Sequence, residues 1–135
     1  MKIDDVSFSG PVEVKQVRGV IFEMTTPLVC AFTLSDTPAG FPLRPGNRYR
    51  ITVPEGFRHD FASTPWPLRK IGRHASADVV HDWCYENRWP EDSADGKAFA
   101  DLLFLEGMKA TKVDRWKRNL MYLAVVVFGG RAWRT

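Results

Sequence analysis

The chain lacks most of what would place it in a membrane, in a disulfide scaffold or among nucleotide-binding folds. Its longest apolar run, Leu120 to Phe128, is nine residues, well short of the ~20 that a bilayer-spanning helix needs, and it reads as a core helix. Met1-Lys-Ile-Asp-Asp opens the sequence without an apolar stretch, so no signal peptide is evident. Its two cysteines, Cys30 and Cys84, fit no C-x-x-C metal or redox spacing. Two reduced, buried thiols in a cytosolic setting are the expectation, with a disulfide left open. There is no Gly-rich phosphate loop and no nucleic-acid motif, which argues against direct nucleic-acid binding. Internal repeats and low-complexity segments are also missing.

Net charge is small, at +3, too little to name a partner. Its distribution says more: Lys109, Lys112, Arg115, Lys117, Arg118, Arg131 and Arg134 face Asp114 alone. A solvated helix face with a basic tail is the plain reading, and contact with phosphate, lipid or an acidic protein is the sharper one.

What is present describes one globular domain. The 135 residues are 44% hydrophobic and 26% charged, enough to bury a proper core. Residues 1–58 read as mainly strands and 59–135 as mainly helices. Val12, Val14 and Val17 mark one strand, Gly19 to Thr25 and Leu28 to Leu34 two more, and Arg48 to Val53 alternates strictly. Ser35 to Asn47, with its prolines and glycines, is a loop. The period then becomes helical over His74 to Arg88, Ser93 to Ala110 and Asp114 to Phe128. In the last of these, Trp116, Leu120, Leu123 and Val127 form the stripe expected to pack, and Gly129-Gly130 the stop. The fold expected is α+β: an N-terminal antiparallel sheet of three to five strands followed by three packed C-terminal helices.

Chemistry concentrates in Val53-Pro-Glu-Gly-Phe-Arg-His-Asp-Phe-Ala-Ser-Thr-Pro65 and Ala77-Asp-Val-Val-His-Asp-Trp-Cys-Tyr85. They place Asp60 and Ser63 at a strand end and His81, Asp82 and Tyr85 on a helix. At ~100° per residue, His74, Asp78, His81, Asp82 and Tyr85 share one arc, opposite an apolar stripe. Asp101 sits in the next helix among Ala98, Phe104, Leu105 and Met108, a core position that obliges the carboxylate to find a partner in the Asp60 to Ser63 turn, in His81 or in an arginine. If His81 is that partner, its pKa should rise.

Three readings of the cluster stay open. In a hydrolase, His81 is the general base, Asp82 or Asp101 orients it, and Ser63 is nucleophile or substrate contact. In a metal site, His81, Asp82, Asp101 and an upstream histidine, His59 or His74, supply imidazole and carboxylate suited to a divalent metal. In a structural lock, Asp60, His81, Asp82 and Asp101 tie a strand end to two helices.

The run Val53-Pro-x-Gly-Phe-x-x-Asp-Phe-Ala-Ser-x-Pro65, then Ala77-x-Val-Val-His-Asp-Trp-x-Tyr85, Ala100-Asp-x-x-Phe-x-Glu-Gly-Met108 and Met121-Tyr to Phe128-Gly129 resembles a family of small proteins of tailed phages and prophages, domain of unknown function 1353. The resemblance covers roughly Tyr49 to Trp133. It implies a phage or prophage origin and gives prominence to Asp60, Ser63, His81, Asp82, Tyr85 and Asp101, with no activity attached. An accessory protein follows, associated with the tail or virion, with other phage structural or assembly proteins as partners and the bacterial cytoplasm or the virion as its place. A small hydrolase of cell-envelope or nucleotide-type substrates is the alternative. His59 and Cys84 stand where the family usually has Thr and Leu.

Overall fold

In a computed structural model of the chain, which describes residues 1–19, 21–59 and 72–134, strands come first and helices follow. β1 (Lys2–Phe8), β2 (Val14–Arg18), β3 (Ile21–Met24), β4 (Leu28–Asp36), β5 (Arg48–Val53) and β6 (Arg58–His59) precede α1 (Ala75–Asn87), α2 (Ala94–Ala110), α3 (Arg115–Phe128) and a short α4 (Gly130–Arg134). The expected α+β order holds, but the described strands form two antiparallel sheets of three, β1-β4-β5 and β2-β3-β6. The two strands beyond the expected sheet carry weak local signals. In β1, Asp5 takes φ 52° and the register with β4 slips around it, so no alternation survives in the sequence. β6 is two residues long and holds to β3 by pairing His59 with Phe22 and Arg58 with Glu23.

Alternation along β4 sends Leu28, Cys30, Phe32 and Leu34 to one buried face, continued by Ile51 and Val53 of β5. α2 lays Phe99 on that face, its ring 5.5 Å from Phe32 and 5.9 Å from Phe41. Phe41 and Leu43 are buried, so the Pro-rich connection closes one end of the core. Cys30 and Cys84 are free and buried; desolvation pushes the Cys30 thiol up to about 12 and Cys84 well above its ordinary value, which keeps both protonated and inert.

α2 begins where Ser93 accepts the Gly96 N–H at 3.0 Å, a side-chain cap of the kind its sequence announces. It lies close on α1 because position 107 is glycine: a Cβ there would sit 3.0 Å from Ala77 Cβ and 3.1 Å from Phe8.

α3 departs from expectation. Met121 and Val125 are its buried residues, joining Ala77, Phe104, Met108 and Val113, whereas the stripe expected to pack, Trp116, Leu120, Leu123 and Val127, is exposed. The helix carries apolar residues on opposite sides, and the core takes the side that lies ~140° to 180° around from Trp116. α3 does end at Phe128 with Gly129 as its C-cap, as expected, and the short α4 follows directly. Gly129 also makes room, since a Cβ there would meet the Tyr85 hydroxyl at 2.5 Å. Among the described residues no helix is long and apolar enough to cross a membrane.

Candidate functional site

The polar centre of the helical half is Asp101 on α2, 2% exposed. Its Oδ1 accepts from the Tyr85 hydroxyl at 2.6 Å and lies 2.8 Å from His81 Nε2. Its Oδ2 accepts from Lys97 Nζ at 2.6 Å. Lys97 in turn donates to the Val125 carbonyl at 3.1 Å, so one carboxylate joins α1, α2 and α3. Helical spacing brings these groups together: His81 and Tyr85 are four apart on α1, as are Lys97 and Asp101 on α2. Aromatic packing then fixes the rings. His81 lies 4.3 Å from Tyr85 and 4.7 Å from Phe104, centroid to centroid, and Tyr85 meets the edge of Trp133 at 5.1 Å.

Protonation follows from burial and neighbours. Burial raises the Asp101 carboxyl, but bonds from His81, Lys97 and Tyr85 together outweigh it and hold the group below its ordinary value. Burial pushes His81 down, and this exceeds the upward pull of Asp101. Burial first and Asp101 second push the Tyr85 phenol up. The network is therefore an ionised Asp101 beside a charged Lys97, with His81 and Tyr85 neutral. An ionised carboxylate only accepts, so the proton between His81 and Asp101 sits on Nε2.

Asp101 pairs with His81 as expected, yet the histidine's pKa falls. Asp101 acts upward, and desolvation at 1% exposure is larger. Lys97 is the network member that the sequence reading missed, although its spacing four residues before Asp101 was the available signal.

The other described candidates do not bond to Asp101. Asp82 is half-buried beside His81, and Asp101 bonds to His81, Tyr85 and Lys97, not to it. His59 is buried in β6 with its ring stacked 6.4 Å from Phe57. His74 occupies the N-cap position of α1 without a side-chain cap bond, its pKa pushed down by burial and then by Lys117. Asp60 and Ser63 lie outside the described residues. Within the polar arc of α1, Asp78 and His81 are each 1% exposed, while His74 and Asp82 are half-buried. Among the described residues no three His, Cys, Asp or Glu side chains assemble into a group that could hold a metal ion, and Asp101 Oδ2 already faces an ammonium. A cavity of about 500 Å³ opens between β1, the start of α1 and the end of α2, lined in part by Phe8, Arg73, Ser76 and Thr111. None of the four network residues lines it.

These features define an α+β protein whose helices are joined by an Asp, His, Lys and Tyr network centred on a buried carboxylate. The chain belongs to the family described as protein of unknown function, DUF1353, whose model matches residues 39–125. That span includes every network side chain and the Val125 carbonyl that receives Lys97. No curated protein and no solved structure matches the chain.

Proposed function

We propose that the chain is an accessory protein encoded by a phage or prophage, associated with the tail or virion, which works by binding while its His81, Asp101, Tyr85 and Lys97 network locks three helices together. The observation that carries the lock is the saturation of Asp101: both carboxylate oxygens are bonded within the protein, to His81 and Tyr85 on one and to Lys97 on the other. Satisfied buried networks fix a packing without doing chemistry. The phage origin and the virion rest on the resemblance of the motifs.

Mass spectrometry of purified particles tests the placement, and absence from virions removes it. For the lock, His81→Gln is expected to cost ~1 to 3 kcal/mol in urea unfolding, because Asp101 is left with a poorly matched partner. Unchanged stability together with lost biological function would turn the assignment to catalysis.

One observation favours a hydrolase as second reading. A neutral His81 whose Nε2–H points at Asp101 carries its lone pair on Nδ1, the state of a base oriented by a carboxylate. Ser63 would then be nucleophile or substrate contact, with Asp60 beside it, and the substrate of cell-envelope or nucleotide type. Hydrolysis of peptidoglycan or nucleotide esters that is lost in both His81→Gln and Ser63→Ala would establish it. Its persistence in a chelator would show that no divalent metal on His81, Asp82, Asp101 or His59 is needed.

A further inference from the structure

Seven large hydrophobic side chains are exposed among the described residues, and six are on α3: Trp116, Leu120, Leu123, Val126, Val127 and Phe128. Phe128 is 79% exposed and Trp116 61%. Such a concentration on one element marks an interaction surface. At ~100° per residue, Trp116, Leu120, Leu123 and Val127 fall within an arc of ~60°. They lie opposite Met121 and Val125, which pack inward.

Two properties of this face identify its occupant. The first is spacing. Intervals of four, three and four residues make a d-a-d-a seam over two heptads, the pattern that fits the knobs and holes of another helix, with exposed Val126 and Phe128 extending the apolar surface on either side of it. The second is charge. Arg115 and Lys117 flank Trp116 at ~100° on either side. Arg115, Lys112 and Arg131 enter no ion pair among the described residues, and Lys117 reaches Asp114 only at 4.0 Å. α3 itself contains no acid from Arg115 to Phe128, and Asp114 at its N-cap already lies 4.0 Å from its own Lys117, so a second copy laid along this face is poorly matched in charge.

We propose that the outer face of α3 docks an acidic amphipathic helix of another protein, with apolar side chains filling the seam and Asp or Glu set against Arg115 and Lys117. The apolar contacts supply affinity, and the charges choose the partner and its direction. The proposal deepens the reading of a protein that works by binding and rests on it.

The test uses the full chain and two fluorescent three-heptad peptides with the same leucine seam, one flanked by Glu and one by Lys, followed by anisotropy. The Glu peptide is expected to bind about tenfold or more tighter than the Lys peptide, with affinity falling as salt rises. Leu123→Glu should abolish binding without moving the urea midpoint, and Val127→Glu serves if that variant does not fold. Arg115→Glu with Lys117→Glu should invert the preference. Equal affinity for both peptides, or none, overturns the proposal. So does dimerisation of the chain that Leu123→Glu abolishes, or capture by phosphatidylglycerol vesicles without peptide binding. Hydrolytic activity in a chain that still selects the Glu peptide would remove the binding-only function and leave this docking site standing.

Discussion

The helical half of this protein has two contrasting places. Where α1, α2 and α3 meet, a carboxylate, an imidazole and a phenol are packed away from water, with a half-buried ammonium bonded to the carboxylate. On the far side of α3, an indole, two leucines and a valine stand in water. The first is costly unless every partner is present, because an unmatched charge or donor in the interior loses its hydration for nothing. The second costs the fold little, since apolar atoms make up much of any protein surface. Its cost lies in solubility and unwanted association. The buried polar cluster should therefore govern stability, and the exposed apolar seam should govern what the protein meets.

Removing the centre of the network is the hardest blow to that contrast. Asp101→Ala leaves Lys97 charged beside the Val125 carbonyl and takes the acceptor from His81 and Tyr85 together. The expected loss is ~3 to 5 kcal/mol in urea or thermal unfolding. A loss below ~1 kcal/mol would mean that water or rearranged side chains replace the carboxylate and that the helices are not locked by it.

Acid should erode the same network by two routes of one sign. Asp101 has a folded pKa held below its ordinary value, so its contribution is present above the unfolded pKa and is lost as pH falls through the folded one. His81 is also depressed, by burial, from an ordinary 6.5. Between its two pKa values the unfolded chain binds the extra proton, so stability is complete above 6.5 and declines as pH drops toward the folded value. Unfolding midpoints measured from neutral to acid pH should therefore fall first through His81 and later through Asp101. His81→Gln should remove the early part alone. A midpoint that rises on mild acidification would show His81 to be charged in the folded protein.

Tyr85→Phe is the gentler probe of that network. Asp101 keeps its bonds to His81 and Lys97 and the ring keeps its packing on Trp133, so ~1 kcal/mol is the expected cost.

How much of this was legible depended on how local each signal was. The strict alternation of Arg48 to Val53, the Ser93 cap and the apolar frame of Asp101 are short-range patterns, and each placed its element or residue correctly. The partner of Asp101 was inferable because burial of a carboxylate demands one, and His81 stood among the candidates. β1 was illegible because Asp5 breaks its register, and the split into two sheets depends on which strands meet across the fold, which periodicity does not encode. The direction of the His81 shift required knowing how completely the ring is enclosed. Asp60 and Ser63, the strand-end half of the expected cluster, lie outside the described residues. For α3 the stripe was seen and assigned to the wrong side. Periodicity shows that a face is uniform; which neighbour covers it is a property of the packed molecule.

That last point yields the smallest predicted effect and the cleanest separation of the two regions. Leu123 is 58% exposed in the seam originally expected to be core, so replacing it with glutamine removes almost no buried surface. Leu123→Gln should shift stability by no more than ~0.5 kcal/mol, the usual range for surface substitutions, while Met121→Ala, two residues away and buried, should lose several times as much through its cavity. Paired urea titrations of the two variants measure the difference directly. If Leu123→Gln instead unfolds the protein as readily as Met121→Ala, the seam is covered within the chain itself and no outer face of α3 is left to dock a partner.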